Sequence, residues 1–354
     1  MSTRVLMKGN EAIAEAAVRA GCRHYFGYPI TPQTEIMHYM ARRMVEAGGV
    51  MVQAESEVAA INMVYGASAA GARALTTSSS PGISLKQEGF SYIAGAELPA
   101  VVVNIVRAGP GLGGILPAQG DYFQATKGGG HGDYRNIVLA PASVQELYEL
   151  TVDAFNLADR YRILTMVLGD GTLGQMMEPV TFRDREPVEE TDKSWAVTGT
   201  HARRKHNTIQ SIYIEPDALE ALNNKLQAKY RDISAREVRV ETINCDGAEI
   251  IMVAYGTCSR ICRNVISQAA ENGIKVGLVR PVTLWPFPEA TIAGIAGSAS
   301  VQALLAVELS TGQMVEDVRL AVNGQKPVFF HGRTGGNLPT QKEILDKIRS
   351  IVRS

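Results

Sequence analysis

From about residue 10 to about residue 180, apolar positions follow two alternating rhythms. Short runs rich in Val, Ile, Thr and Tyr take turns with longer stretches of Ala, Gly and Leu at helical spacing, which predicts an α/β domain on a parallel sheet. Asn10 is expected to cap a helix through EAIAEAAVRA that Gly21 closes, with HYFGY following as a strand. Thr31 before Pro32 reads as an N-cap and the residue favoured at the first helical position, opening a helix that ends at Gly48 and Gly49. Strand VMVQ comes next at 50 to 53, then a helix from about Glu57 whose face is nearly all Ala, Gly and Ser. Strand ALTTS, a helix to about Ala96 and strand VVVNIV at 101 to 106 lead into a glycine-rich loop from Arg107 to about Asn136. Strand IVLA, helix SVQELYELTVDAFNLADRY and strand ILTMVLG complete the first domain, placed at residues 1 to 180.

Residues 181 to 245 break the rhythm. A polar stretch, TFRDREPVEETDKSW, is followed by the basic patch HARRKHN, read as a solvated loop, and by an amphipathic helix at PDALEALNNKLQAKYRDI. This is expected to be a connecting segment. Residues 246 to 354 resume the alternation with EIIMVAYG, KVGLVRP, ALLAVEL and VFFHG as strands between helices, so a second, smaller α/β domain is expected there.

Composition narrows the function classes. With 35 basic and 36 acidic residues in a chain of 354, the formal charge of -1 supplies no field to gather nucleic acid or an anionic membrane. No apolar run reaches the roughly 20 residues that span a bilayer, and MSTRVLMKGNEA lacks the apolar core of a secretory signal, so a cytoplasmic location without membrane attachment is expected. Cys22, Cys245, Cys258 and Cys262 are too scattered for a disulfide framework or a cluster array, and no metal site is assigned. Cys258 and Cys262 would share a helix face, but two ligands fall short of four, and half-buried thiols is the plainer reading. Any redox centre is therefore expected on another chain.

In open parallel sheets, ligands bind at the carboxyl ends of the strands, where loops and helix amino-termini converge. Four strands here end in unusual residues: Tyr28, Pro29, Ile30, Thr31 and Pro32 after the first; Glu55, Ser56 and Glu57 after VMVQ; Ser78, Ser79, Ser80, Pro81 and Gly82 after ALTT; and Arg107 after VVVNIV. Thr31 is explained as well by capping alone as by capping with ligand binding. Glu57 could merely complement a helix dipole, but the apolar residues after it would bury its surroundings, which favours a functional role. Arg107 would be costly to bury without an anion, a structural ion pair being the competing reading. Gly109 to Gly114 superficially matches a dinucleotide loop, but Pro110 and the following ILPAQGDY do not open a helix.

These residues carry a resemblance. YPITP at 28 to 32, ESEVAAINMVYGASAAGARALTTSSSPGISLKQEG at 55 to 89, AELPAVVVN at 96 to 104 and RAGPGLGG with Gln119, Gly120 and Asp121 are similar to the alpha subunit of 2-oxoacid:ferredoxin oxidoreductases. AYG at 254 to 256, RPVTLWPFP at 280 to 288, VELSTGQM at 307 to 314 and GRTGG at 332 to 336 extend the likeness over nearly the whole chain. Within the family, GPGLGGILPAQGDYFQATKGGGHGDY resembles the branched-chain (2-ketoisovalerate) subtype, whereas the 2-oxoglutarate subtype tends to carry Gly-Pro-Ser-Thr-Gly there.

The resemblance implies a doubly wound pyrimidine-type thiamine diphosphate domain followed by a domain of transketolase C-terminal type. It implies oxidative decarboxylation of a 2-oxoacid to acyl-CoA, with electrons passing singly through iron–sulfur clusters to ferredoxin. It assigns Glu57 to the pyrimidine ring nitrogen, where a carboxylate makes the cofactor's own amino group a base. Thr31, Arg107, Tyr28 and Ile30 fall to the substrate, and Pro29, Ser79 and Ser80 join Glu57 at the cofactor. Gly169-Asp170-Gly171 superficially matches the magnesium-diphosphate motif of thiamine enzymes, but no Asn-Asn lies at the usual distance downstream, and it reads as a strand-end turn. Diphosphate, Mg2+ and clusters are thereby expected on partners: a beta subunit, with gamma and ferredoxin-like delta subunits. Activity on 2-oxoglutarate or pyruvate, a transketolase-like or simple decarboxylase, a nucleotide-binding oxidoreductase and a non-catalytic assembly subunit are the competing readings.

Overall fold

A computed structural model of the chain describes residues 4–183 and 186–353. The polar stretch read at 181 to 195 thus includes two residues outside the described ones, and the chain start read for a signal includes three. In order, the first half contains β1 (Arg4–Lys8), α1 (Gly9–Arg19), β2 (His24–Gly27), α2 (Thr34–Glu46), β3 (Val50–Gln53), α3 (Glu57–Ala69), β4 (Ala74–Ser78) and α4 (Pro81–Gly95). It continues with β5 (Ala100–Val106), α5 (Tyr122–Thr126), β6 (Ile137–Leu139), α6 (Val144–Tyr161), β7 (Leu164–Asp170), α7 (Gly171–Gln175), β8 (Met177–Thr181) and α8 (Pro216–Arg236). The second half contains β9 (Val240–Ile243), β10 (Ile250–Val253), α9 (Gly256–Glu271), β11 (Val276–Pro281), β12 (Thr283–Trp285), α10 (Glu289–Ala296), β13 (Ala303–Glu308), α11 (Met314–Val322), β14 (Val328–Gly332) and α12 (Gln341–Val352).

Among the described residues the strands form three sheets. The larger runs β12-β6-β7-β5-β4-β2-β3, parallel except for the antiparallel edge β12. Its strands β4, β5 and β7 are buried at every position, as a sheet covered on both faces requires. The smaller runs β14-β13-β10-β11-β9, with β9 antiparallel. β9 lies in the stretch read as a connector, and β12 lies in the stretch read as the second domain, so each sheet ends in a strand from across the expected boundaries. β1 and β8 form a separate antiparallel pair that the sequence pattern did not disclose, because most of β1 is exposed.

Two helix starts differ from expectation. α1 begins at Gly9 behind Lys8, whose backbone N–H is met by Glu11, and Asn10 is not its cap. The Asn10 amide instead donates to Pro32 O at 2.8 Å and to Glu35 Oε2 at 2.9 Å. Thr31 is not a cap either, because α2 starts three residues later, behind Gln33. The Gln33 N–H closes a turn onto Ile30 O, and side chains of Asn10 and Gln175 occupy Pro32 O, leaving it unavailable to a helical ladder. The loop after β5 also holds the short helix α5, which its glycine content concealed.

One apolar core continues from the large sheet to one face of the small sheet, and a second core under α9 and α12 covers the other face. Cys258 and Cys262 sit in that second core, where burial pushes both thiols well up, so their spacing reflects packing. Side-chain bonds pin the halves together at the carboxyl edge of the large sheet. Gln119 donates to Tyr255 O at 3.0 Å and accepts from the Leu309 N–H at 2.9 Å, while Asp170 accepts from the Thr257 hydroxyl at 2.9 Å.

Candidate active site

Four strand ends converge by direct contact. Ser56 caps α3, its hydroxyl accepting from the Ala59 N–H at 3.1 Å, and so fixes Glu57 at the first helical position. Glu57 is only 5 % exposed, yet among the described residues no hydrogen bond or ion pair reaches its carboxylate. Val58 beside it is exposed, so the apolar run after Glu57 is buried on one side only. Helix α4 reaches the carboxylate because Gly82 and Gly89 carry no side chain on that face. A Cβ on Gly82 would collide with Ser78 Oγ and lie 2.6 Å from Glu57 Oε1, and one on Gly89 would lie 2.6 Å from Ile61.

Ser80 ties the end of β4 to the end of β5. Its hydroxyl donates to Arg107 O at 3.2 Å and accepts from the Arg107 N–H at 3.1 Å, with the Ser80 backbone held at φ 22°. Asn104 supports the turn: its Oδ1 accepts from the Ser80 N–H, and its amide donates to Asp121 at 2.9 Å. Burial pushes the Asp121 carboxyl up despite these bonds. The guanidinium of Arg107 donates to Thr31 O and Leu112 O, each at 2.9 Å. It forms no ion pair among the described residues, its Nε has no partner, and the residue is 7 % exposed. The structural ion pair weighed from sequence is therefore absent, and the cation is balanced by two neutral carbonyls. Thr31 contributes that carbonyl rather than a cap.

Around this centre, Tyr28 and Thr31 are exposed and Pro29 and Ile30 half-buried. Ser78 and Ser79 are buried, and neither hydroxyl has a hydrogen-bond partner. Among the described residues Asp170 makes no hydrogen bond to the cluster, although it pairs beside Val106 in the sheet. It ends β7, caps α7 by accepting from the Thr172 and Leu173 N–H groups, and joins the halves through Thr257. Among the described residues no group of three or more His, Cys, Asp and Glu side chains could hold a metal ion.

The sequence model described as "Pyruvate flavodoxin/ferredoxin oxidoreductase, thiamine diP-bdg" matches residues 15–243, and "Pyruvate:ferredoxin oxidoreductase core domain II" matches 248–344. The chain belongs to the 2-oxoacid:ferredoxin oxidoreductase family. The ketoisovalerate oxidoreductase subunit VorB of Methanothermobacter thermautotrophicus is 53% identical over 98% of this chain and 97% of its own. The 2-oxoglutarate synthase subunit KorA of Archaeoglobus fulgidus is 39% identical over 92% of this chain and 94% of its own. A solved 2-oxoglutarate:ferredoxin oxidoreductase from Magnetococcus marinus, holding 2-oxoglutarate, coenzyme A and succinyl-CoA, superposes with a TM-score of 0.87 at 26% identity. That match covers 99% of this chain, which spans 65% of the solved one. A split-gene transketolase shares the fold, with a TM-score of 0.58 at 11% identity.

The residues present suit the thiamine cofactor of this oxidoreductase family. A buried carboxylate without a partner can accept from a ring nitrogen, and the unpartnered Ser78 and Ser79 hydroxyls beside it can bond further heteroatoms of a flat polar ring. Arg107, the cation at these strand ends, is turned to the loop carbonyls, and among the described residues no set of cations for a diphosphate gathers beside it. Sequence reasoning placed Gly82 at this sheet edge but gave no role to it, to Asn104 or to Asp121. Asn104 carries a signal in retrospect, being an amide in the middle of a fully buried apolar strand.

Proposed function

We propose that this chain is the pyrimidine-holding subunit of a branched-chain 2-oxoacid:ferredoxin oxidoreductase that acylates coenzyme A. The observation that carries the reading is the buried carboxylate of Glu57, unpaired among the described residues, set at the same sheet edge as an Arg107 that has no counter-ion among them. Thiamine diphosphate bound there would supply a carbon nucleophile and an electron sink for the decarboxylation. Glu57 accepts a hydrogen bond from the pyrimidine ring nitrogen, with Pro29, Ser79 and Ser80 shaping the surface against that ring. Arg107 draws in the carboxylate of the 2-oxoacid, helped by Thr31, with Tyr28 and Ile30 at its side.

The side-chain pocket favours a branched aliphatic substrate. The loop from Arg107 to Gly120 has a single cation and exposes Leu112, Ile115 and Leu116, an apolar offering with no second charge for a distal carboxylate. The relative named for ketoisovalerate supports the same choice. Diphosphate and Mg2+ belong in this reading to a beta subunit, and the iron–sulfur clusters to partner chains that include gamma and ferredoxin-like delta subunits. The assembly works in the cytoplasm, with ferredoxin as acceptor. Among the described residues no helix is long and apolar enough to cross a membrane.

The test is co-expression of the chain with its partners and assay of 2-oxoacid-dependent reduction of a viologen dye. Glu57→Gln abolishes turnover, and 3-methyl-2-oxobutanoate is preferred over 2-oxoglutarate and pyruvate. Full activity of Glu57→Gln would overturn the assignment.

A further inference from the structure

Lys86 is a buried cation that the reaction outlined above does not use. It lies on α4 one turn after Gly82 and is 0 % exposed. Its Nζ donates to Thr76 Oγ1 at 3.0 Å, and no carboxylate pairs with it among the described residues. An ammonium with three N–H groups and one neutral acceptor is costly to bury unless opposite charge lies near. Glu57 supplies the charge that favours the ammonium.

The layering explains why. Thr76 and Ser78 are two residues apart on β4 and share one face of the sheet, while Gly82 and Lys86 are one turn apart on α4. Ser78 meets Gly82 and, through it, Glu57, and Thr76 meets Lys86. The ammonium therefore sits one layer beneath the carboxylate. We propose that Lys86, seated on Thr76, is a positioning residue for Glu57, its charge fixing the carboxylate at the sheet edge. A cation behind the carboxylate attracts it and holds it at the sheet edge, where it can accept from a ring N–H. This inference rests on the assignment of Glu57 to the cofactor ring.

The groups facing Lys86 are Glu57 from α3 and the Thr76 hydroxyl from β4. Burial pulls the Lys86 ammonium down to about 8, so the counter-charge is present below that pH and lost as pH rises through it. In the assembled enzyme, affinity for thiamine diphosphate measured by titration calorimetry is expected to fall as pH rises through about 8. Lys86→Met removes that alkaline limb and lowers kcat by on the order of 10²-fold, the lower end of what positioned proton transfer contributes, with KM for the 2-oxoacid unchanged. A Lys86→Met enzyme with wild-type kcat and an unchanged limb would overturn the proposal.

Thr76→Val keeps the lysine but removes its acceptor, and serves if Lys86→Met does not assemble. It is expected to move the limb to lower pH, and an unmoved limb counts against the proposal. A wild-type enzyme with no limb at all refutes it without any variant. Glu57→Gln separates the two ideas: if it is inactive while the Lys86 and Thr76 variants behave as wild type, only the role of Lys86 fails.

Discussion

Arg107 donates from Nη1 to the carbonyl oxygen of Thr31 at 2.9 Å, so the residue just after β5 holds the loop after β2 by its backbone. With Nη2 on Leu112 O, the same guanidinium also folds down the start of its own loop. A planar fork can do both while presenting an edge to an anion, and a lysine cannot. Arg107→Lys is therefore expected to lose one charge-assisted bond, about 1.5–3 kcal/mol, which corresponds to about a 10- to 100-fold rise in KM for the 2-oxoacid. Steady-state kinetics on the assembled enzyme check this.

Gly82→Ala tests the close approach of α4 to Glu57. The new methyl would strike Ser78 Oγ and crowd Glu57 Oε1, so both side chains must turn away from α4. The expected outcome is a fall in kcat and in thiamine diphosphate affinity, with overpacking costing about 1–3 kcal/mol in thermal unfolding. Wild-type affinity in this variant would show that Glu57 does not face the cofactor.

Asp170→Asn distinguishes a structural cap from a metal ligand. An amide oxygen can accept from the Thr172 and Leu173 N–H groups and from the Thr257 hydroxyl, as Oδ1 of the carboxylate does, while the long bond from the Thr257 N–H to Oδ2 at 3.4 Å is lost. Burial already pushes the Asp170 carboxyl up, so loss of its charge removes a desolvation penalty. Thiamine diphosphate affinity is expected to be unchanged at saturating Mg2+, with stability altered by about 1 kcal/mol or less, and calorimetry reads both.

Glu15 gives the fold a predictable acid limit. Burial opposes its ionisation, but hydrogen bonds and charge from Arg43 and Arg19 outweigh it and hold the carboxyl below its usual 4.5. A depressed carboxylate contributes stability that is fully present above the unfolded value and is lost as pH falls through the folded one. Denaturant unfolding should show a constant gap between wild type and Glu15→Gln near about pH 6, closing only below about 4.5.

Much of the site is legible in the sequence because its determinants are local. The strands before Glu57, Ser78 and Arg107 are short apolar runs whose ends are marked by abrupt changes of residue type, and Ser56 caps α3 by a bond within one turn. Thr31 misleads because the same Thr-Pro pair that opens a helix elsewhere is diverted here by Asn10 and Gln175, 21 and 144 residues away along the chain. Lys86 is hidden for a different reason. Lysine in a helix is ordinarily solvated, and only its place on the Gly82, Gly89 and Ile93 stripe marks it as buried. The pairing of β12 with β6 and of β9 with β11 depends on where remote segments dock, which no window of sequence records.

The crossing of those two strands has a consequence for anyone who would take the chain apart. β9 precedes β12 in sequence, yet β9 completes the small sheet and β12 the large one. No single scission between the halves can leave both sheets whole: a break just before residue 240 bares the flank of β6, and one just after residue 285 strips β9, β10 and β11 from their partners. Chimeras joined at one seam between the halves of relatives with different substrate preference would therefore pair a strand of one parent against a sheet of the other.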